Sequence, residues 1–467
     1  MKIKEVPSSW IPRWGYRLDV GPFVGGAVET RIYLEKAPYP KEPLLSLTSG
    51  HDGGIYNGPM FRRRYVDSPE YGVPFLGSSE MLRADFGGIG YLRREDAESP
   101  RLGYLRLTQG TTLISCSGTI GRTVYVRPDM EGMWTSQHIM KVVPDRAKVP
   151  PGYLFAFLSS KFGVPMVTSG TYGAIIQHIE PEHIASLPVP RFGLDAETAI
   201  HDLVEAAAIL RAGAAKVIRA TVACIPETLG LGELTIREVT KFGVAKVAAT
   251  QLRGRLDAAY HSAAAMEVEV QFASCRWPVA PMPEVLAGYF KPPMFKRLWV
   301  TDPRYGRQFV SGNDAYRFEA EDLRYVSNKT PNFDDFILKR GWVIFQGAGQ
   351  IYGLFAQPLF VRGWLEGIFC ADDMYRLVPH NELDGAFLFA FLKTPHGQVL
   401  LKRQASGNSI PRVWDPHIRD VRVPWPWDTI RKDIARPIVQ AHIDIEAARL
   451  KEKEAIALIE HAIEEAA

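Results

Sequence analysis

The chain has 467 residues, 46% of them apolar and 23% charged, which is enough for two or three hydrophobic cores and too rich in aromatics for a disordered segment. Its net charge of +3 does not by itself diagnose a nucleic-acid binder, although the two long Gly- and Pro-rich blocks are mildly basic and the stretches that follow each are not. No apolar run reaches the length of a membrane span, Met1 to Pro7 lack the apolar core of a secretion signal, and Cys116, Cys224, Cys275 and Cys370 form no CxxC pair. These features point to the cytoplasm and away from a disulfide framework or a zinc site.

The first block covers residues 1–194. It contains short β-like runs such as Thr112-Leu113-Ile114-Ser115, then a short helix from Gly152 to Leu158, and it stops at Leu187-Pro188-Val189-Pro190. A long helix is predicted next, over residues 195–226, with Asp195 as its N-cap and Pro226 as its end. Its apolar stripe is Ile200, Leu203, Ala207, Leu210, Ala214, Val217, Thr221 and Ile225, spaced by threes and fours. The second block, 227–427, repeats the order. It has Trp342-Val343-Ile344-Phe345, a helix from Gly385 to Leu392, and a stop at Val423-Pro424-Trp425-Pro426. A second long helix is predicted over 428–467, its stripe running through Ile430, Ile434, Ile438, Ala441, Ile445, Ala448, Ala455, Ile459 and Ile463, with Pro437 kinking its first turns.

The two blocks are copies of one another. Phe61 to Phe75 aligns with Phe295 to Phe309 at an offset of 234, with seven of the 15 positions identical. The same offset returns at Phe155-Ala156-Phe157-Leu158 and Phe389-Ala390-Phe391-Leu392, at Gly163 and Gly397, at Gly173 and Gly407, at His183-Ile184 and His417-Ile418, and at Val189-Pro190 and Val423-Pro424. The chain is therefore read as α+β, a tandem duplication with a pseudo-two-fold shape. Each long helix could pack on its own domain. Their equivalent positions and Ala-rich stripes favour packing on each other as an antiparallel coiled coil.

The order block, helix, block, helix resembles the specificity subunits of Type I restriction-modification systems. The carrying residues are Ser117-Gly118-Thr119-Ile120-Gly121, Ser136-Gln137, Phe157-Leu158, Gly173, Ile176 and Leu187-Pro188-Val189-Pro190. In the second copy Gly347-Ala348-Gly349-Gln350-Ile351, Asn408-Ser409-Ile410 and Val423-Pro424 stand in their places, and Asp372-Asp373 replaces the Ser-Gln pair. The resemblance implies two target recognition domains, each reading a short run of bases in the major groove of double-stranded DNA, with an unread gap set by the helices. A helix of some 31 residues is roughly 46 Å long, and domains at its ends would sit about one DNA turn apart. The resemblance also implies two DNA methyltransferase subunits docked through the helices and restriction-translocase subunits joined to them. It implies S-adenosylmethionine, ATP and magnesium on those partners, and no cofactor on this chain.

Base reading needs donors and acceptors on loops, and phosphate binding needs cations and backbone N–H groups. The candidates in the first copy are Arg62, Arg63 and Arg64; Ser117, Thr119 and Arg122 around a Gly-rich turn; and Thr171, Tyr172, Gln177 and His178, with Gln177 suited to adenine. Their counterparts in the second copy are Lys296, Arg297, Gln346, Gln350, Tyr352, Arg403, Asn408 and Arg412. A solvated charged turn, a tight hairpin and a structural histidine are the competing readings of these groups.

Enzyme signatures are absent from the sequence. It has no GxxxxGK[ST] loop, no HExxH, and no Asn- or Asp-Pro-Pro-Tyr segment, and Gly347 to Gly353 lacks the step and following helix of a dinucleotide loop. The expected role is a non-catalytic reader of DNA. The alternatives are the reader of a related phage-defence or solitary methylation system and, in a different class, a duplicated α/β enzyme or ligand-binding protein.

Overall fold

The computed structural model describes residues 4–13, 23–117, 120–169, 178–235, 244, 246–252, 255–351, 353–407 and 409–465. The chain divides into two compact units, residues 1–212 with 447–467, and residues 213–446.

The first unit contains α1 (Ala27–Lys36), β1 (Lys41–Pro43), β2 (Ile55–Tyr56), β3 (Tyr65–Val66), β4 (Gly72–Leu76), β5 (Tyr91–Arg93), β6 (Thr112–Ser115), β7 (Thr123–Tyr125), β8 (Trp134–Thr135) and β9 (Ile139–Val142). After these come α2 (Pro151–Ser159), α3 (Gly163–Ser169), α4 (Pro181–Ala185), β10 (Pro188–Pro190) and the long α5 (Leu194–Leu229). One sheet has the order β2-β9-β6-β7, a second β3-β5-β4-β8, and β1 pairs with β10. Every residue of α2 from Pro151 to Leu158 is buried, as expected of a short helix that is apolar all round. It joins Ile114, Met140 and Val142 of the first sheet in one core. A second core under the other sheet gathers Val73, Phe75, Leu92 and Trp134.

The second unit repeats this plan: α6 (Ala263–Ala273), β11 (Val279–Pro281), β12 (Leu286–Phe290), β13 (Trp299–Val300), β14 (Gly306–Val310), β15 (Tyr325–Ser327), β16 (Val343–Gln346), β17 (Pro358–Phe360), β18 (Phe369–Cys370) and β19 (Met374–Pro379). Then follow α7 (Glu382–Lys393), α8 (Pro395–Lys402), α9 (Asp415–Arg419), β20 (Arg422–Pro424) and the long α10 (Asp428–Glu465). Its sheets run β12-β19-β16-β17 and β13-β15-β14-β18, with β11 paired to β20, so all three sheets recur in the same order. A parallel strand pairing also recurs, Phe75 opposite Trp134 and Phe309 opposite Phe369. The duplication predicted from sequence is a duplication of topology.

The long helices meet within each unit. In the first, Ile200, Val204 and Ala208 of α5 share a core with Ala455, Ile459 and Ile463 of α10, and Arg211 forms an ion pair with Glu452. In the second, Ile225 and Leu229 share a core with Ile434, Ala435 and Ile438. The start of one helix thus meets the end of the other, an antiparallel pairing. Buried alanines, Ala208 and Ala455 in the first unit and Ala214 and Ala441 in the second, keep the bulk along these stripes low.

Three details of the helix prediction need correction. Pro226 does not end α5, because a proline this close to the C-terminus removes only one backbone bond. The helix ends at Leu229, where Gly230 (φ 71°) turns left-handed, its N–H donating to Glu227 and that of Leu231 to Pro226. At the other end Leu194 opens the helix, and the Gly193 carbonyl accepts from Glu197 N–H, so Asp195 lies inside the first turn. Val217 is exposed, and Ile218 and Val222 pack inward instead. A strict seven-residue spacing drifts off the face of a 3.6-residue helix.

The helices are fastened at their first turns by chemistry that differs between copies. In the first unit Glu197 is fully buried and accepts from Arg191 Nε and Nη2, each at 2.8 Å. In the second, the position equivalent to Glu197 is Arg431, which donates to Asp384 at 2.9 Å and lies 4.6 Å from the ring of Trp425, the counterpart of Arg191. Further along α10, His442 is wedged between Phe360 (5.1 Å) and Phe389 (5.3 Å), its Nδ1–H donating to the Ile438 carbonyl at 2.8 Å. Burial pushes this imidazole down to about 4. Because the folded pKa lies below the unfolded one, the His442 contribution is intact above about pH 6.5 and is lost as pH falls toward 4. Between pH 7 and pH 5 the loss is expected to be about 2 kcal/mol. Thermal unfolding of native chain and His442→Gln at both pH values checks this, and equal pH slopes in the two proteins contradict it.

Among the described residues no helix is long and apolar enough to cross a membrane, and no group of three or more His, Cys, Asp or Glu side chains could hold a metal ion.

Candidate nucleic-acid interface

In each unit the segment leading into the second sheet carries the exposed cations. Arg62 is exposed, two residues after Met60, which is 81% exposed. Lys296 and Arg297 are exposed, following Met294 at 80%. The preceding residues are Pro59 and Pro293, which cannot donate to a strand ladder, and the following Phe61 and Phe295 turn inward to the core below. Side chains therefore alternate, with the aromatic inside and the methionine and cation outside.

Arg63 is half-buried. Its guanidinium lies 5.4 Å from the Phe75 ring and its Nη2 donates to Gln137 Oε1 at 3.0 Å. Arg297 repeats the ring contact, 5.1 Å from Phe309. Arg64 is not an available cation, because Asp96, remote in sequence, holds it in a two-pronged ion pair that raises its pKa.

The second feature of each unit is a bridge between two loops. Ser117 pairs with His178 across backbone strands, and Ile179 N–H donates to the Cys116 carbonyl at 3.1 Å. Ala348 pairs with Arg412 in the same way, with Val413 N–H donating to Gly347 at 2.8 Å and Gly349 N–H to Pro411 at 3.0 Å. Residues 137 and 138 link Arg63 to the bridged strand: Arg63 donates to Gln137, and Cys116 N–H donates to the His138 carbonyl at 3.0 Å. The imidazole of His138 is held below its ordinary range, first by burial and then by Arg63 and His178. On the second copy Gln350 donates to the Ser409 carbonyl at 2.9 Å, tying it to the same loop pair.

Other sequence candidates fall elsewhere. Arg122 uses its backbone N–H on Ser115 Oγ at 2.9 Å, closing the turn. Gln346 is half-buried, its amide donating to Ala348 at 3.0 Å. Arg403 is withdrawn from the surface set. It is 5% exposed, donates to Glu269 at 2.7 Å and lies 4.0 Å from the Tyr260 ring, so it stabilises the contact of α6 and α8 rather than facing solvent. Thr119, Thr171, Tyr172, Gln177, Tyr352 and Asn408 lie outside the described residues.

No protein-family model and no curated protein matches this chain. Among solved structures it is similar to the S subunit of a Type I restriction-modification system from M. genitalium, at 11% identity and a TM-score of 0.37, covering 92% of this chain and 95% of that one. It is also similar to the HsdS subunit from Thermoanaerobacter tengcongensis, at 13% identity and a TM-score of 0.28, covering 92% and 97%. A third structure, of a Type I R-M system in a study of complex assembly and conformational transition, gives 14%, 0.28, and 92% and 97%. The likeness runs the length of the chain with loose superposition.

His138, Lys291 and Trp414, and Gln137 as a partner of Arg63, lie beside these features without having been candidates in the sequence. Lys291 Nζ lies 5.9 Å from the half-exposed Trp414 ring, and the equivalent positions of the first unit, Asn57 and Glu180, are joined by a 3.1 Å hydrogen bond. The available signal was the 234-residue offset, which pairs Asn57 with Lys291 and Glu180 with Trp414.

Proposed function

We propose that this chain is the DNA-recognition subunit of a Type I restriction-modification system and carries no catalytic centre of its own. Each unit reads one half of a bipartite duplex target. The long helices dock DNA methyltransferase subunits, one per repeat, and restriction-translocase subunits join through that assembly. S-adenosylmethionine, ATP and magnesium belong to those partners. The length of the helices sets the number of unread base pairs.

One observation carries the reading: the same loop bridge recurs on the same strand order in both units and presents different side chains, Ser117 with His178 and Ala348 with Arg412. A protein that reads two unlike half-sites needs this arrangement, a constant frame with variable donors and acceptors. Cations on the segment entering the second sheet of each unit supply the attraction to phosphates.

Fluorescence anisotropy with a labelled 40-base-pair duplex of random sequence tests it, with the chain alone and with its methyltransferase partner. If four cations (Arg62, Arg63, Lys296 and Arg297) each neutralise a phosphate, affinity should fall roughly a hundredfold between 50 and 200 mM salt. Absence of binding, or binding indifferent to salt, with the methyltransferase present overturns the reading.

A further inference from the structure

The common strand order lets matching positions of the two units be compared, and two sets stand out. At the loop bridges and their rims the side chains change character: part-buried Ser117 against buried Ala348, and part-buried His178 and Asn57 against part-buried Arg412 and Lys291. In the segment entering the second sheet three positions keep theirs, Met60 with Met294, Arg62 with Lys296 and Arg63 with Arg297, while Arg64 gives way to Leu298.

Packing does not explain the constant set. The two methionines are 81% and 80% exposed, and Tyr71 and Tyr305, in the equivalent loops from β3 to β4 and from β13 to β14, are each 63% exposed. An exposed methionine adds little to folding, so its presence at the same place in both copies points to something outside the chain. The composition says what. Neither residues 57–66 nor 291–300 contain a carboxylate; with Arg64 neutralised by Asp96, Arg62 and Arg63 remain in the first unit and Lys291, Lys296 and Arg297 stand in the second, with the methionine beside them. That surface suits a polyanion with apolar faces between its charges, which describes the sugar–phosphate backbone of DNA. Two unlike half-sites share only that backbone.

We propose that the Pro-Met-Phe-cation-Arg segment of each unit is a sequence-independent clamp on the sugar–phosphate backbone, and that base discrimination resides in the bridged loops around Ser117 and His178 and around Ala348 and Arg412. The proposal rests on the DNA-reading function above. Arg62 and Lys296 meet phosphates, and Met60 and Met294 cover deoxyribose faces. Arg63 and Arg297, braced on Phe75 and Phe309, stand between the clamp and the reading loops.

The test uses the full chain with its methyltransferase partner and a fluorescein-labelled duplex pool with a 40-base-pair randomised centre. Native protein is measured first; if it does not bind, the DNA-reading function fails rather than the clamp. Met60→Ala/Met294→Ala should weaken binding to the unselected pool about fivefold or more. Arg62→Ala/Lys296→Ala should weaken it further and reduce the salt slope by roughly two, one per phosphate. In both variants sequencing of the bound fraction should return the same base preferences as native protein. Arg412→Ala should instead change the bases enriched in one half-site only. Unfolding temperatures equal to native show that the variants fold. The clamp is overturned if its variants shift base preference, if pool affinity is unchanged, or if they release the methyltransferase on size exclusion, which would make the patch a protein contact.

Discussion

Replacing Gly163 or Gly397 with alanine is expected to destabilise its unit by about 3 kcal/mol or more and to lower its unfolding temperature by roughly 6–12 °C. Gly163 is the first residue of α3, and Gly397 lies in the first turn of α8. A Cβ built on Gly163 would lie 2.1 Å from the Phe157 carbonyl oxygen, and one on Gly397 would lie 2.3 Å from that of Phe391. Both obstacles are backbone and cannot swing aside. The hydroxyl at each preceding cap draws the corner tight: Ser160 Oγ donates to Phe157 at 2.7 Å and accepts from Gly163 N–H at 3.1 Å, while Thr394 Oγ1 donates to Phe391 at 2.6 Å and accepts from Gly397 N–H at 3.1 Å. These helices precede in sequence His178 and Arg412, which form one side of each candidate bridge. The substitutions should therefore weaken DNA binding as well as folding. Scanning calorimetry measures the first and anisotropy the second, and unfolding within about 2 °C of native would refute the corner as a constraint.

The second large effect is expected at Asp129. Arg127 is 2% exposed, and Asp129 holds it from both sides of the fork, Nε to Oδ1 at 2.9 Å and Nη2 to Oδ2 at 3.0 Å. The guanidinium also lies 4.9 Å from the Phe86 ring, and burial pulls its pKa down. Asp129→Ala leaves a buried charge without its bidentate partner and should cost about 3–5 kcal/mol. Arg127→Met removes charge and partner need together and should cost less, and the double variant should be milder than Asp129→Ala alone. The equivalent arginine in the second unit, Arg362, is paired differently, with Glu382, and its side chain is 17% exposed. Glu382→Ala should consequently be the gentler change. Denaturant unfolding of the four proteins decides the matter, and an Asp129→Ala loss below 1 kcal/mol would show that water replaces the carboxylate.

The candidate site was legible only in part. The cations of Arg62, Arg63, Lys296 and Arg297 were found because charged residues in a short run with no acid must reach solvent somewhere. The pairing of Arg64 with Asp96 was not legible, because Asp96 is 32 residues away in sequence and no local pattern announces a pair of that separation. Arg403 was misplaced for the same reason: Glu269 and Tyr260 come from a distant element. Gln137 figured only in the Ser-Gln pair and His138 not at all, because a lone amide or imidazole carries no period. Only folding brings Gln137 to Arg63, 74 residues earlier.

By itself the sequence determined what is local or periodic. Apolar spacing placed α5 and α10, an unbroken apolar run placed α2 and α7, and the 234-residue offset established that one fold occurs twice. The tertiary structure alone decided which cations face water, which loops meet, and where a glycine has no substitute. Those outcomes depend on pairs far apart in the chain, whose energies are set by burial and geometry that no stretch of sequence contains.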